Sequence, residues 1–282
     1  MRLMTLTLLI ATAPAWAFKS PIPRGKTIAD LSGQQLRQTL TDHHLGGGWD
    51  EASLNKVIRL LGVRLHESTE RLSAHERFIH YNRALDSLTR LPLALVERMK
   101  SRGKPLNLVA GVLTDHPAMA PMRGKTPRGW PEGRTWEEVP GAATHQGAVI
   151  VVDSQFAGHG AANLILHEIG HTVDYYHGRG RLSESQKFKR LHEATPFSQL
   201  YSSSYTQHRE ENFAELFALY FQDRSSRENL RRQFPEAHTY LAEMFPDAPH
   251  TTPARAPRDP GLRLPSLGEI GSWFTQQTGS NE

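Results

Sequence analysis

The chain has 282 residues, no cysteine and a formal net charge of +4 from 33 basic and 29 acidic side chains. Without cysteine there is no disulfide framework, no cysteine-based zinc finger and no lipid anchor on a thiol, so stability must come from burial, for which the length suffices. The basic residues are scattered, with Arg123, Lys125, Arg128 and Arg134 in one stretch and Arg224, Arg227, Arg231 and Arg232 in another; they read as solvated faces, and no nucleic-acid partner is expected.

Met1-Arg2, an apolar run over residues 3–11, a break at Pro14 and Ala15-Trp16-Ala17 follow the order of a signal peptide. Residues 1–17 are therefore expected to be removed and the protein to be exported, to the periplasm or beyond. The run is well short of the roughly 20 apolar residues a membrane span needs, and no later segment qualifies, so no transmembrane segment is expected in the mature chain. Residues 18–90 read as a helical N-terminal region, with apolar residues at helical spacing over 34–40, 51–64 and 73–88. The pair His43-His44, like the other histidines outside the motif described next, has no partner at ligand spacing and reads as solvated. Pro92 opens a helix to about residue 100, and residues 106–113 read as a strand. The Gly- and Pro-rich stretch 116–147 is too long for a simple connector, and with Trp130 and Trp136 it is expected to wall or plug a cleft. A β-branched run, 148–153, reads as a strand that turns through Gly158-His159-Gly160 into a helix. His159, ahead of the helix, is read as an exposed turn residue, with lining of the cleft as the alternative.

That helix contains His167-Glu168-Ile169-Gly170-His171. Two histidines four apart lie on one helical face, where their imidazoles can converge on one cation. Glu168, about 100° round the axis, is left beside the metal to act as a base instead of a ligand. Leu164, Ile165, Ile169, Val173 and Tyr176 flank the histidine stripe with the apolar surface of a buried helix. Asp174, three residues after His171, either orients an imidazole or caps a loop; His177 beside Gly178 reads as a charge placed at the helix C-terminus. A catalytic zinc takes three protein ligands, and the favoured third is Glu211, which opens a helix over 211–221 packed by Phe213, Leu216, Phe217 and Tyr220. Glu210 and Glu215 are the alternatives, the latter also as a hydrogen-bond acceptor for a ligand histidine. Further on, Ser226 is expected to cap a helix over 227–234, Pro235 to open another to residue 245, and residues 247–282 to form a Pro-rich tail.

The run HEIGHTVDYY from His167 to Tyr176, followed further on by Tyr205 and ENFAELF, resembles the catalytic domain of anthrax lethal factor and its smaller secreted relatives, which include the Pro-Pro endopeptidases. The likeness continues upstream through Pro127-Arg128-Gly129-Trp130, Thr135-Trp136 and Val139-Pro140-Gly141, and covers roughly residues 91–223. It implies His167, His171 and Glu211 as ligands of one catalytic zinc, Glu168 as general base and Tyr205 as the donor that stabilises the transition state. Tyr205 stands six positions before Glu211, one fewer than the family spacing. A deletion in the connecting loop is implied, and Tyr201, across Ser202-Ser203-Ser204, is the competing phenol.

The expected fold is α+β and zincin-like: a helical region 18–90, then a catalytic domain 91–246 in which the motif helix packs against a small mixed sheet and a second helix bearing Glu211. The expected function is that of an exported zinc-dependent endopeptidase of the gluzincin type, acting on a protein or peptide substrate. One rival is a zinc-binding interaction protein without turnover, which has no need of Glu168. Another is a zinc hydrolase of a non-protein amide in the cell envelope.

Overall fold

The structure is a computed structural model that describes residues 59, 61–128, 130–153, 161–176, 180–195 and 207–246. The expected signal peptide, the helix at 34–40, His43-His44, His159, His177, Tyr201, Tyr205 and the Pro-rich tail lie outside the described residues.

The fold is α+β. Its sheet has four strands in the order β1-β2-β4-β3, formed by β1 (Val63–Leu65), β2 (Leu106–Val109), β3 (Gly141–Thr144) and β4 (Gly147–Val151). The first three in that order run parallel, with Val63 opposite Leu106 and Leu106 opposite Ala148, while β3 closes the edge antiparallel to β4 with Gly141 opposite Ile150. Around the sheet lie α1 (Ala74–Thr89), α2 (Leu93–Ser101), α3 (Leu164–Tyr176), α4 (Gln186–Ala194), α5 (Arg209–Gln222), α6 (Arg224–Gln233) and α7 (Pro235–Met244). None of the described helices is long and apolar enough to cross a membrane.

Strand alternation sorts the residues into two cores. Leu106, Leu108, Ala148 and Ile150 face α3 and the helical layer, where Leu166, Ile169, Phe213, Leu216 and Phe217 are fully buried. Val109, Val149 and Val151 point the other way, and the long stretch ahead of β3 folds over them with Leu113, Met119 and Val139, flanked by Trp130 and Trp136. This stretch therefore covers the second face of the sheet.

Several expectations are corrected. The helix expected to run to residue 64 gives way to β1, because Gly62 turns the chain at φ +78° and pairing with β2 outweighs the helical periodicity. The strand expected to reach residue 113 stops at Val109, where Gly111 at φ +104° begins a turn closed by the Asp115 carboxylate accepting from Val112 N–H. The helix expected from Arg227 starts at Arg224, since Asp223 and not Ser226 is the cap, its carboxylate accepting from Ser226 N–H at 2.7 Å. Strand β3 and helix α4 had no counterpart in the sequence reading. His80 and His116, read as solvated, are buried. His116 Nδ1 accepts from Ala118 N–H, and burial, with His66, His145 and Arg64 nearby, lowers its pKa from 6.5 to about 4.

The contact that places the site is the crossing of α3 and α5. A Cβ on Gly170 would lie 2.8 Å from Ala214 Cα and 2.9 Å from its carbonyl oxygen, both backbone atoms that cannot swing away. Two small residues face each other, so the helix backbones meet directly.

Gly170→Ala is expected to destabilise the fold by about 1–3 kcal/mol through overpacking, although alanine is the better helix former by about 1 kcal/mol. A Tm raised by this change would show that the contact relaxes freely. His116 yields a pH dependence. Its folded pKa lies below the unfolded 6.5, so the stability it supports is whole above that value and declines as pH falls towards 4. The loss is on the order of 3 kcal/mol. Denaturant unfolding at pH 7 and pH 4.5 should show His116→Asn losing less than the parent chain, and equal losses would refute the assignment.

Candidate active site

Asn163 begins the active-site helix: its side-chain oxygen accepts from Leu166 N–H at 3.0 Å and its carbonyl from His167 N–H at 2.9 Å. An Asn just ahead of an apolar run is a sequence signal for such a helix start. Four residues apart on α3, the His167 and His171 rings meet edge to face with centroids 4.8 Å apart. Glu211, in the first turn of α5, brings one carboxylate oxygen to 3.3 Å from His167 Nε2 and 3.4 Å from His171 Nε2. The three donor atoms all lie within 4.8 Å of one another. Donors about 2.1 Å from a tetrahedral zinc stand about 3.4 Å apart, so the two edges have the spacing such an ion would need.

The three candidate third ligands separate. Glu210 turns away from the histidines to Arg128 of the sheet-covering stretch, 3.7 Å off. Glu215, one turn beyond Glu211, takes the other side of His167: one oxygen is 3.2 Å from Nδ1 and the other accepts from Ala162 N–H at 2.9 Å. With Glu215 accepting the Nδ1 proton, Nε2 is the nitrogen that an ion displacing the second proton would take. Asp174, for which two roles were open, accepts from the backbone N–H and the hydroxyl of Ser183 at 2.6 and 2.7 Å, which is the loop-holding one.

Glu168 is buried beside this cluster and accepts from Ala143 N–H of β3. A Cβ on Gly141 would lie 3.1 Å from Glu168 Cγ, so β3 approaches this side chain closely because its first residue is glycine. Burial pushes the Glu168 pKa up, against the pull of His171 and His167. Burial also opposes charge on His167, but the carboxylates of Glu211 and Glu215 at its two nitrogens prevail and raise its pKa to about 10. Glu211, despite its own burial, is held below the usual carboxylate range by the two histidines. Three carboxylates around two imidazoles in a dry site call for compensating positive charge, and nitrogen and oxygen donors at these distances suit a zinc ion.

A family profile described as anthrax toxin lethal factor, N- and C-terminal domain, matches residues 72–244. The Pro-Pro endopeptidase of Clostridioides difficile is 30% identical over 166 residues, 58% of this chain and 74% of that protein. That of Paenibacillus alvei is 29% identical over 161 residues, 56% of this chain and 74% of that protein. The solved structure of the Paenibacillus alvei Pro-Pro endopeptidase superposes with a TM-score of 0.57 at 25% identity, covering 68% of this chain and 99% of that one.

Glu215→Gln keeps the size of the side chain but removes the charge behind His167. It is expected to weaken zinc binding about 10- to 100-fold in competition with a chromophoric chelator; undiminished affinity would leave Glu215 with a structural role alone.

Proposed function

The chain belongs to the anthrax toxin lethal factor family, and from that premise we propose that it is an exported zinc-dependent endopeptidase of the gluzincin type. The observation that carries this reading is the convergence of His167, His171 and Glu211 with Glu168 alongside and outside the donor triangle.

His167, His171 and Glu211 would hold the ion. Zinc bound there supplies Lewis acidity at a peptide carbonyl and makes water acidic enough to be deprotonated near neutral pH. Glu168 takes a proton from the attacking water as its oxygen adds to the carbonyl carbon. It then passes that proton to the amide nitrogen, which leaves as an amine when the C–N bond breaks. Burial suits Glu168 to this exchange by raising its pKa towards the working range of a general base. The hydrogen bond from Ala143 N–H fixes the carboxylate's direction, and Gly141 leaves the room it needs. Glu215 keeps His167 in its ligating tautomer. Tyr205, assigned on the family resemblance with Tyr201 as competitor, is proposed to donate a hydrogen bond to the developing oxyanion, a contribution of about a hundredfold or more in rate.

The signal-like N-terminus supports a periplasmic or secreted location. Relatives named Pro-Pro endopeptidases make a bond between two prolines the first substrate to try.

The test is a peptide library rich in Pro-Pro sequences, with a parallel panel of muropeptides, offered to the zinc-loaded mature chain from Phe18 and to its Glu168→Ala variant. Peptide cleavage that falls about a hundredfold or more in the variant, with zinc still bound, is the expected result. Equal cleavage by both proteins, cleavage of muropeptides alone, or no cleavage by either would defeat the proposal.

A further inference from the structure

His171 and Glu211 stand on different helices, and the 3.4 Å between their donor atoms depends on where the first turn of α5 is held. The Gly170–Ala214 contact sets how deeply the helices cross, one turn further along. It does little for the N-terminal end of α5, where the backbone N–H groups have no intrahelical partner and fraying starts. His208, at the N-cap, makes no capping hydrogen bond with its side chain among the described residues.

A second set of contacts reaches that end. Asp174, on α3 and 0% exposed, accepts from Ser183 N–H and Oγ–H. The next residue, Glu184, accepts from Arg209 Nη2 with both oxygens, at 2.8 and 3.1 Å, and lies 3.0 Å from Lys189 Nζ. Arg209 is the first residue of α5, two before Glu211. Further along the same segment, His192 Nδ1 is 3.0 Å from the side-chain amide of Asn212, the neighbour of Glu211, and the Phe188 ring packs on Phe213 at 5.5 Å. Asp174, Ser183, Glu184 and Arg209 thus form a continuous path from the turn after His171 to the turn that carries Glu211. A buried carboxylate is costly unless its partners satisfy it, and Asp174 has both oxygens engaged.

We propose that segment 181–194 is a positioning brace for the metal site, in which Asp174, Ser183, Glu184 and Arg209 hold the Glu211 carboxylate at ligand distance from His171. The inference rests on the ligand set proposed above. Glu184 and Arg209 have side chains 39% and 37% exposed, and ion pairs of that kind add little to global stability. Their effect is therefore local and separable from folding.

The experiment uses the full mature chain with Glu184→Gln, Arg209→Gln, Asp174→Asn and the exchanged pair Glu184→Arg with Arg209→Glu. Zinc affinity is read by chelator competition, ligand geometry by the visible spectrum of the cobalt-loaded protein, and folding by Tm after chelation. The single variants at Glu184 and Arg209 are expected to lose about two- to fivefold in zinc affinity, with an altered cobalt spectrum and little change in Tm, and the exchanged pair to recover part of the loss, Lys189 beside Glu184 opposing the reversal. Asp174→Asn should lose affinity as well; because it perturbs a buried group, the surface pair decides. Unchanged affinity in both surface variants, or a loss that only tracks Tm and is not recovered by the exchange, overturns the brace. Glu211→Gln, measured alongside, separates the two proposals: zinc binding that survives it defeats the ligand set, whereas binding lost there and intact in the surface variants defeats the brace alone.

Discussion

The direct backbone contact between Gly170 and Ala214 is the constraint from which the site follows. Helices pack with their axes about 8–10 Å apart depending on the side chains at the contact, and small residues at a crossing allow the nearer approach. Small residues at the crossing bring the backbones together, and apolar side chains on either side, Ile169 and Val173 on α3 with Phe213 and Phe217 on α5, close over the contact. Once the crossing is that tight, the carboxylates three residues before Ala214 and one after it, Glu211 and Glu215, fall on the two sides of His167. Ligand and orienting group are then spaced by the pitch of α5, and the same pitch spaces His167 and His171 on α3.

The sheet serves the site indirectly. Strand β4 presents Ala148 and Ile150 to α3, so the active-site helix rests on small and branched side chains that leave it close to the edge strand. There β3 runs antiparallel to β4 and brings Ala143 N–H to Glu168. The sheet-covering stretch does two jobs with one run of chain: it buries Val109, Val149 and Val151, and it carries Arg128 to within 3.7 Å of Glu210, beside the proposed metal ligand. A loop that long keeps a fixed shape because it has a core of its own.

What could be read from the sequence was what local geometry decides. The pairing of His167 with His171 and the offset of Glu168 depend on helical pitch alone, and α1, α2, β4 and α7 followed from periodicity and from Pro92 and Pro235. The choice among Glu210, Glu211 and Glu215 was different, because it depends on how α5 is turned against α3, which the one-dimensional pattern narrows without deciding. Strand β3 escaped notice because Gly141-Ala142-Ala143-Thr144 has weak strand propensity and is held by its partner β4. Helix α4 escaped for a related reason, since its apolar positions are few and its place comes from Phe188 against Phe213 and Tyr240. His80 and His116 read as solvated because polarity is all that a sequence shows of a lone histidine; their burial comes from segments far away in the chain.

Three glutamates of one chemical type occupy this site, and their supports separate their roles. Glu211 is approached by the imidazoles of both His167 and His171, and its negative charge is favoured strongly enough to override burial. Glu215 spends one oxygen on a backbone N–H and the other on His167 Nδ1, the ring nitrogen opposite the one that Glu211 approaches, so it can orient the imidazole. Glu168 has Ala143 N–H beside its carboxylate and is otherwise buried, and burial raises its pKa. A carboxylate destined to exchange protons must not be as well solvated by the protein as one destined to hold a cation, or its basicity is lost. The proposed division into ligand, orienting group and base follows the partners each carboxylate is given: the imidazoles for Glu211, His167 Nδ1 and the segment before α3 for Glu215, and β3 for Glu168.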